Sequence, residues 1–310
     1  MNYTHAEVAS LDPQTMRTLC EEYLANNYID PETSERLGVK RGLRNPDGTG
    51  VLAGLTNISD IRAFQYVDGV KKPADGQLLY RGYDVKDLIR GSSGSRFAFE
   101  EAGYLLLFGE LPTQEKLEEF CRVLGECRTM PTNFTRDVIM KAPSHDIMNS
   151  MARSVLTLAS YDPKAADLDT SNVLRQSIQL AGIFPMLAVY SYHAYNHYEK
   201  DASMYIHRPD PSLSTAENFL RMLRPNMQYT PLEARVLDVA LLLHAEHGGG
   251  NNSTFTTRVV TSSGTDTYSA MAAALCSLKG PRHGGANLMV MQMMQNIREN
   301  LHDQEDDEEL

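Results

Sequence analysis

Residues 244–287 read HAEHGGGNNSTFTTRVVTSSGTDTYSAMAAALCSLKGPRHGGAN, and this stretch indicates the fold of the chain. It begins at the end of one apolar helix, ends at the start of another and predicts two helices between them. At both boundaries histidines stand beside consecutive glycines, which allow a sharp turn or a close approach to a ligand. We name these boundaries the first histidine corner (residues 244–250) and the second histidine corner (residues 280–285). Because successive helices fold back on one another, we expect the two corners to face each other across a cleft.

The helix that leads into the first histidine corner has a strong start signal. Thr230 can cap it, Pro231 suits the first helical position, and Glu233 completes a capping box. We predict that this helix covers residues 230–247. Residues 236–243 are apolar on nearly every side, which is typical of a central buried helix.

The rest of the chain predicts a mainly α protein with a small N-terminal β-hairpin or meander. The hairpin is expected over residues 63–80, with its turn at Asp68-Gly69. Residues 28–60 hold many turn formers and predict an extended loop. Pro185 is expected to kink or break the longest helix. The other predicted helices cover residues 13–26, 99–108, 116–128, 145–161, 171–198 and 213–223.

Composition narrows the class of protein. The chain has 310 residues, 42% of them hydrophobic, and a net charge of −11, so we expect no nucleic-acid partner. No apolar run reaches the ~18 residues that a spanning helix needs, so we expect no membrane partner. The cysteines form no CxxC pair, and Glu7, Asp12, Glu21 and Glu22 fit no targeting segment. These features predict reduced thiols in a cytoplasmic protein.

The first histidine corner by itself allows several interpretations. A phosphate loop would follow a strand and open a helix, whereas this glycine run closes a helix. The oxyanion turn of lipases needs a G-x-S-x-G nucleophile, and GSSGS at residues 91–95 lacks the final glycine. His244 and His247 could bind a metal beside Glu246, but the HExxH order is absent, so we expect no metal. The plain alternative is a glycine C-cap with two core histidines.

The second histidine corner favours catalysis. Gly280-Pro281 ends one helix, and Gly284-Gly285 precede the next, which leaves His283 near a helix N-terminus. Unpaired amides and the helix dipole disfavour an imidazolium at that position. A neutral imidazole can donate a hydrogen bond to a developing enolate oxygen.

Together these residues match a known family. The chain resembles citrate synthases and their close relatives, the 2-methylcitrate synthases, over nearly its whole length from about residue 50. Arg282, Gly248 and Asn252 depart from the usual pattern. The matching strings are LLYRGYDVKDL at 78–88, EEAGYLLLFGELPT at 100–113, RPDPSLSTAENFLRML at 208–223, HAEHGGGNNSTFTTRVV at 244–260 and GPRHGGAN at 280–287.

The resemblance implies a helical homodimer that condenses oxaloacetate with acetyl-CoA through an enol or enolate, with no tightly bound cofactor. His283 matches the catalytic histidine that stabilises the enol oxygen. His247 matches the histidine that binds oxaloacetate, and Asn251 and Ser253 match residues that support substrate binding. The residues that bind coenzyme A are not identified by the match. A 2-methylcitrate synthase, which takes propionyl-CoA, is the close alternative.

Other functional groups of the family have no match before Leu310. These are a further histidine, the aspartate that acts as base and the arginines that hold carboxylates. We therefore expect a truncated enzyme that forms little citrate by itself. Its large helical domain would cover residues 1–279, with an N-terminal extension over 1–60, and its small domain would begin at residues 280–310. A non-catalytic dimerising or regulatory module is the alternative from another class.

Overall fold

The structure, a computed structural model, describes residues 31–38 and 55–301, together with residues 12, 14, 17, 18, 20 and 21. The chain divides into two compact units, Met1–Leu52 and Ala53–Leu310. The division that the sequence predicts, between residues 279 and 280, stays a prediction. Most of the helix predicted over residues 13–26 lies outside the described residues.

One short helix, α1, is described in the first unit. It covers Pro31–Arg36, with Glu32 in its first turn and Arg36 in its last. Both charges complement the helix dipole, which is a local reason for a helix here. The prediction of an extended loop over residues 28–60 is therefore wrong for these residues, and also for Ser59 and Asp60, which lie in a strand. Residues 28–30 and 39–54 lie outside the described ones.

The predicted hairpin opens the second unit and is confirmed. Strands β1 (Ser59–Val67), β2 (Val70–Tyr80) and β3 (Tyr83–Asp84) form an antiparallel sheet in the order β1-β2-β3. Asp68 and Gly69 both have positive φ, 54° and 76°, as a two-residue type I′ hairpin turn requires.

Helices make up most of the remaining described residues, which confirms the predicted mainly α fold class. A π-helical turn covers Thr135–Ile139, and a 3-10 turn covers Ala159–Tyr161. None of the described helices is both long enough and apolar enough to cross a membrane. The helices are α2 (Val85–Gly91), α3 (Ala98–Phe108), α4 (Gln114–Glu126), α5 (Ile147–Leu158), α6 (Thr170–Glu199), α7 (Thr215–Leu223), α8 (Pro231–His244), α9 (Asn252–Thr261), α10 (Thr267–Leu278) and α11 (Gly285–Asn300).

Two helices differ from their predicted form. Helix α6 continues through Pro185 without a break, although a proline removes one backbone hydrogen bond. Ile183 and Leu187, on either side of it, are fully buried, and their packing offsets that loss. Helix α8 ends at His244, three residues earlier than predicted. The residues from Ala245 onward therefore belong to the turn of the first histidine corner.

Two hydrophobic clusters hold the second unit together. Leu187 of α6 shares the larger one with Val155 of α5 and Leu275 of α10. The smaller cluster contains Tyr80 at the end of β2 and Leu242 near the end of α8, along with side chains of α2 and α3. The first histidine corner therefore begins at the edge of the smaller cluster.

Candidate active site

Tyr80 holds the end of helix α8, where backbone carbonyls lack helical partners. Its hydroxyl lies 3.0, 3.2 and 2.9 Å from the carbonyl oxygens of Leu242, Leu243 and Glu246. The same hydroxyl accepts a hydrogen bond of 3.1 Å from the Glu246 N–H. The side chain is fully buried, and burial raises the pKa of Tyr80. Tyr80 is therefore a neutral hydrogen-bonding anchor beneath the first histidine corner.

The Glu246 carboxylate organises the turn that follows. One of its oxygens accepts hydrogen bonds from the Ser59 hydroxyl (3.1 Å), the His247 N–H (3.1 Å) and the Gly248 N–H (2.6 Å). Gly248 has a φ of 100°, and a Cβ there would lie 2.9 Å from Cδ1 of Ile61. The position therefore requires glycine for its backbone conformation.

The imidazoles of the first histidine corner are exposed. Nδ1 of His244 donates to the Ala240 carbonyl oxygen at 2.7 Å, while none of the described residues hydrogen-bonds to the ring of His247. The interpretation of both as core histidines is therefore wrong. The His247 ring is accessible to a ligand.

Asn251 caps helix α9. Its Oδ1 accepts from the Thr254 N–H at 3.0 Å, and its Nδ2 donates to the Gly248 carbonyl oxygen at 2.9 Å and to the Thr254 hydroxyl at 2.8 Å. Both amide hydrogens are thus used inside the corner. The structure gives Asn251 a supporting role, and its contact with substrate stays a prediction.

Ser253, in the first turn of α9, contacts the second histidine corner. Its Oγ lies 2.8 Å from Nε2 of His283 and 3.2 Å from the carbonyl oxygen of Ala274. If the hydroxyl hydrogen points at Nε2, the imidazole proton is on Nδ1, which can then donate to a ligand. If that hydrogen points at the carbonyl, Nε2 is the protonated nitrogen. This contact links the start of α9, just beyond the first histidine corner, to the second one. That the two corners face each other across a cleft stays a prediction.

The second histidine corner is a tight turn between α10 and α11. The N–H groups of His283 and Gly284 both donate to the Gly280 carbonyl oxygen at 2.9 Å. Gly284 is the N-cap of α11, so His283 stands directly before a helix N-terminus, as predicted. A Cβ on Gly284 would lie 2.0 Å from the carbonyl oxygen of Leu278, so only glycine fits.

This arrangement offers hydrogen bonds from two imidazoles, one exposed and one held by a hydroxyl. None of the described carboxylates hydrogen-bonds to the ring of His247 or His283. No group of three or more potential metal ligands occurs among the described residues. The site can therefore orient and polarise carbonyl groups, and the described residues provide it with no paired carboxylate base.

A family model described as "Citrate synthase, C-terminal domain" matches residues 44–308. The chain belongs to the citrate synthase family. This is an acyltransferase family, and the fold class that the sequence predicted is the one its members share.

Individual relatives agree with this assignment. The chain is 33% identical to the citrate synthase of Corynebacterium glutamicum over 240 residues, 76% of this chain and 51% of the relative. It is 32% identical to 2-methylcitrate synthase 2 of the same organism over 249 residues, 79% of this chain and 59% of the relative. The chain thus spans a little over half the length of these citrate synthase relatives.

A solved structure extends the agreement to three dimensions. The citrate synthase of the archaeon Thermoplasma acidophilum, in a ternary complex with carboxymethyl coenzyme A and oxaloacetate, matches with a TM-score of 0.66 and 27% identity. The match covers 79% of this chain and 58% of the archaeal chain. The predicted citrate-synthase-like helical architecture is therefore confirmed.

Sequence reasoning missed part of this candidate site. It singled out the histidines of both corners but gave no role there to Ser59, Tyr80 or the carboxylate of Glu246. Ser59 and Glu246 are 187 positions apart, and no spacing rule connects them. One available signal was the acidic side chain itself, because a carboxylate beside a glycine turn can accept from free backbone N–H groups.

Proposed function

We propose that this chain supplies the oxaloacetate- and acyl-CoA-binding residues of a citrate synthase. The observation that supports this most directly is the 2.8 Å hydrogen bond between Ser253 and His283, two residues that match the family's substrate-binding and catalytic positions. The exposed ring of His247 would bind oxaloacetate, and His283 would hold the carbonyl oxygen of the thioester.

In the proposed reaction a base removes a methyl proton from acetyl-CoA, and negative charge develops on the thioester oxygen. A hydrogen bond from His283 to that oxygen stabilises the enolate most where its charge is greatest. The enolate carbon then bonds to the keto carbon of oxaloacetate, and hydrolysis of the thioester releases coenzyme A. This role requires Ser253 to donate to Nε2, so that Nδ1–H of His283 faces the substrate.

The choice between acetyl-CoA and propionyl-CoA is a finer point of the same proposal. Relatives with either specificity are about equally similar to this chain, at 33% and 32% identity. One methylene group changes discrimination by only about 10- to 200-fold. We propose acetyl-CoA as the substrate, with propionyl-CoA as the alternative, and comparing the affinity for the two thioesters distinguishes them.

Two substitutions test the roles of the histidines. His247→Ala is expected to weaken oxaloacetate binding about 10- to 100-fold, the usual effect of losing a hydrogen bond to a charged group. His283→Ala is expected to leave oxaloacetate binding unchanged and to weaken binding of carboxymethyl coenzyme A, whose carboxylate resembles the enolate. Isothermal titration calorimetry measures both affinities. Binding is the better readout because the described residues offer the site no paired base.

The matched control is His145→Gln, since His145 is an exposed histidine outside both corners. It should change neither affinity. Equal weakening of both ligands by both alanine variants would contradict the separate roles. A chain that binds neither ligand would favour the non-catalytic module. The ¹⁵N chemical shifts of the His283 ring report whether Nδ1 carries the proton, as the proposal requires.

We also propose that the chain forms a homodimer through helix α11. Six apolar residues of this helix are between 47% and 69% exposed, and the helix has no buried residue. A patch of this kind usually marks an interaction surface. The six residues are Leu288, Met289, Val290, Met291, Met293 and Met294.

Sedimentation velocity at micromolar concentration tests the dimer. The unmodified chain is expected to sediment as a dimer, and the double variant Met289→Lys with Met293→Lys as a monomer, because these residues share one helix face. The control, Leu232→Lys with Val236→Lys, adds the same two charges at exposed apolar residues one turn apart on α8 and should leave the dimer intact. The proposal would be contradicted if the unmodified chain or the control variant sedimented as a monomer.

A further inference from the structure

Two residues at the base of the β-hairpin form hydrogen bonds with Glu246 of the first histidine corner. Ser59 and Tyr80 are directly opposite each other in the register of β1 and β2. The Ser59 hydroxyl donates to the Glu246 carboxylate, and the Tyr80 hydroxyl hydrogen-bonds to both the N–H and the carbonyl of Glu246. One cross-strand pair therefore fixes both the side chain and the backbone of Glu246.

We propose that Glu246 is a positioning residue, which sets the turn that presents His247 to the substrate. This inference rests on the proposed function, in which His247 binds oxaloacetate. The ring of His247 has no hydrogen-bonding partner among the described residues, so that nothing but the backbone directs it. The backbone at His247 and Gly248 is in turn held by the Glu246 carboxylate.

Charge and geometry make Glu246 suitable for this role. The N–H groups beyond the end of α8 have no helical acceptors, and a carboxylate forms stronger hydrogen bonds to them than a neutral oxygen does. Gly248 has a φ of 100°, which residues with a Cβ rarely adopt, so the turn needs glycine there. Hydrogen bonds from the carboxylate and from the neighbouring strands restrict the turn, which lowers the cost of ordering His247 when ligand binds.

Amide hydrogen exchange and oxaloacetate titration, applied to the same variants, test the inference. In Glu246→Ala the amides of His247 and Gly248 are expected to exchange at least about tenfold faster, and oxaloacetate affinity to fall about 10- to 100-fold. Glu246→Gln keeps an acceptor oxygen but loses the charge, so both values should change clearly less than in Glu246→Ala. Ser59→Ala removes only the hydrogen bond between β1 and the Glu246 carboxylate. Its exchange rates and its oxaloacetate affinity should therefore lie between those of Glu246→Ala and Glu246→Gln.

Asp87→Ala is the control, because Asp87 is an exposed carboxylate whose ion pair with Arg90 is remote in sequence from both corners. It should change neither readout. Unchanged exchange at both amides in Glu246→Ala would overturn the positioning role. Faster exchange with unchanged oxaloacetate affinity would also overturn it, because the turn would then not direct a ligand-binding His247. An original chain that binds no oxaloacetate would instead refute the proposed function, and the exchange rates would still decide whether Glu246 holds the turn.

Discussion

Replacing Arg128 with methionine is expected to lower the free energy of unfolding by about 3–5 kcal/mol at neutral pH. Arg128 and Glu100 are both buried, with 3.6 Å between Nη2 and Oε1. Arg128 also donates to the Leu213 carbonyl oxygen at 2.5 Å and to the Thr215 hydroxyl at 3.3 Å. The substitution would leave the Glu100 carboxylate buried without its cation, and its Oε2 already has no hydrogen-bonding partner among the described residues.

The loss of stability in Arg128→Met should depend on pH. Burial raises the pKa of Glu100 and lowers the pKa of Arg128, and for Arg128 the attraction of Glu100 offsets the effect of burial only in part. Without Arg128, the pKa of Glu100 in the folded protein should rise further above its unfolded value of about 4.3. The folded variant then holds a proton that the unfolded chain releases. Its stability is greatest below about pH 4.3 and falls as pH rises through the folded pKa.

Urea unfolding between about pH 4 and 7.5 measures both effects. Adding Glu100→Gln to Arg128→Met should restore part of the stability and remove the added pH dependence. Arg122→Met is the matched control, since Arg122 and Glu126 form an exposed pair that contributes little. A loss for Arg128→Met no larger than for this control would show that the buried pair does not stabilise the fold.

Replacing Gly284 with alanine is expected to cost about 2–3 kcal/mol, the usual range for forcing an atom into a packed site. The new Cβ would lie 2.0 Å from the Leu278 carbonyl oxygen and 3.1 Å from its carbonyl carbon. Both are backbone atoms, so the turn itself has to open. His283 should then lose its hydrogen bond to Ser253, which ring NMR signals report, while chemical unfolding measures stability.

Gly285→Ala, one position later, is the control. A Cβ there meets nothing within 4 Å, and Gly285 is the first residue of α11. Alanine is favoured over glycine inside helices by up to about 1 kcal/mol, so this variant should be neutral or slightly more stable. Similar losses in both variants would mean that the Leu278 carbonyl does not restrict Gly284.

The features predicted correctly from sequence depend on signals between near neighbours. The capping box of Thr230 and Glu233 is present, and the Asp68-Gly69 turn was recognised from adjacent residues. The interpretation failed where distant packing overrides a local rule. Nothing near Pro185 in the sequence shows that burial of its neighbours keeps α6 continuous.

In the candidate site, too, local sequence signals identified some residues, whereas others come together only through packing of distant segments. Glycines and histidines marked both corners, and a helix start placed His283 correctly. The hydrogen bond between Ser253 and His283 joins residues 30 positions apart, and it depends on how α9 and α10 fold back on each other. The contribution of Ser59 and Tyr80 depends on how the hairpin packs against α8, which no periodicity in either segment specifies.

The contact between the hairpin and the first histidine corner also bears on the order of folding. Tyr80 and Glu246 are 166 positions apart, so the chain between them has to be brought together before their hydrogen bonds can form. Contacts of such long range form slowly compared with helices. Although the corner is a short continuous segment, its native hydrogen bonds can form only once the hairpin has packed against the end of α8.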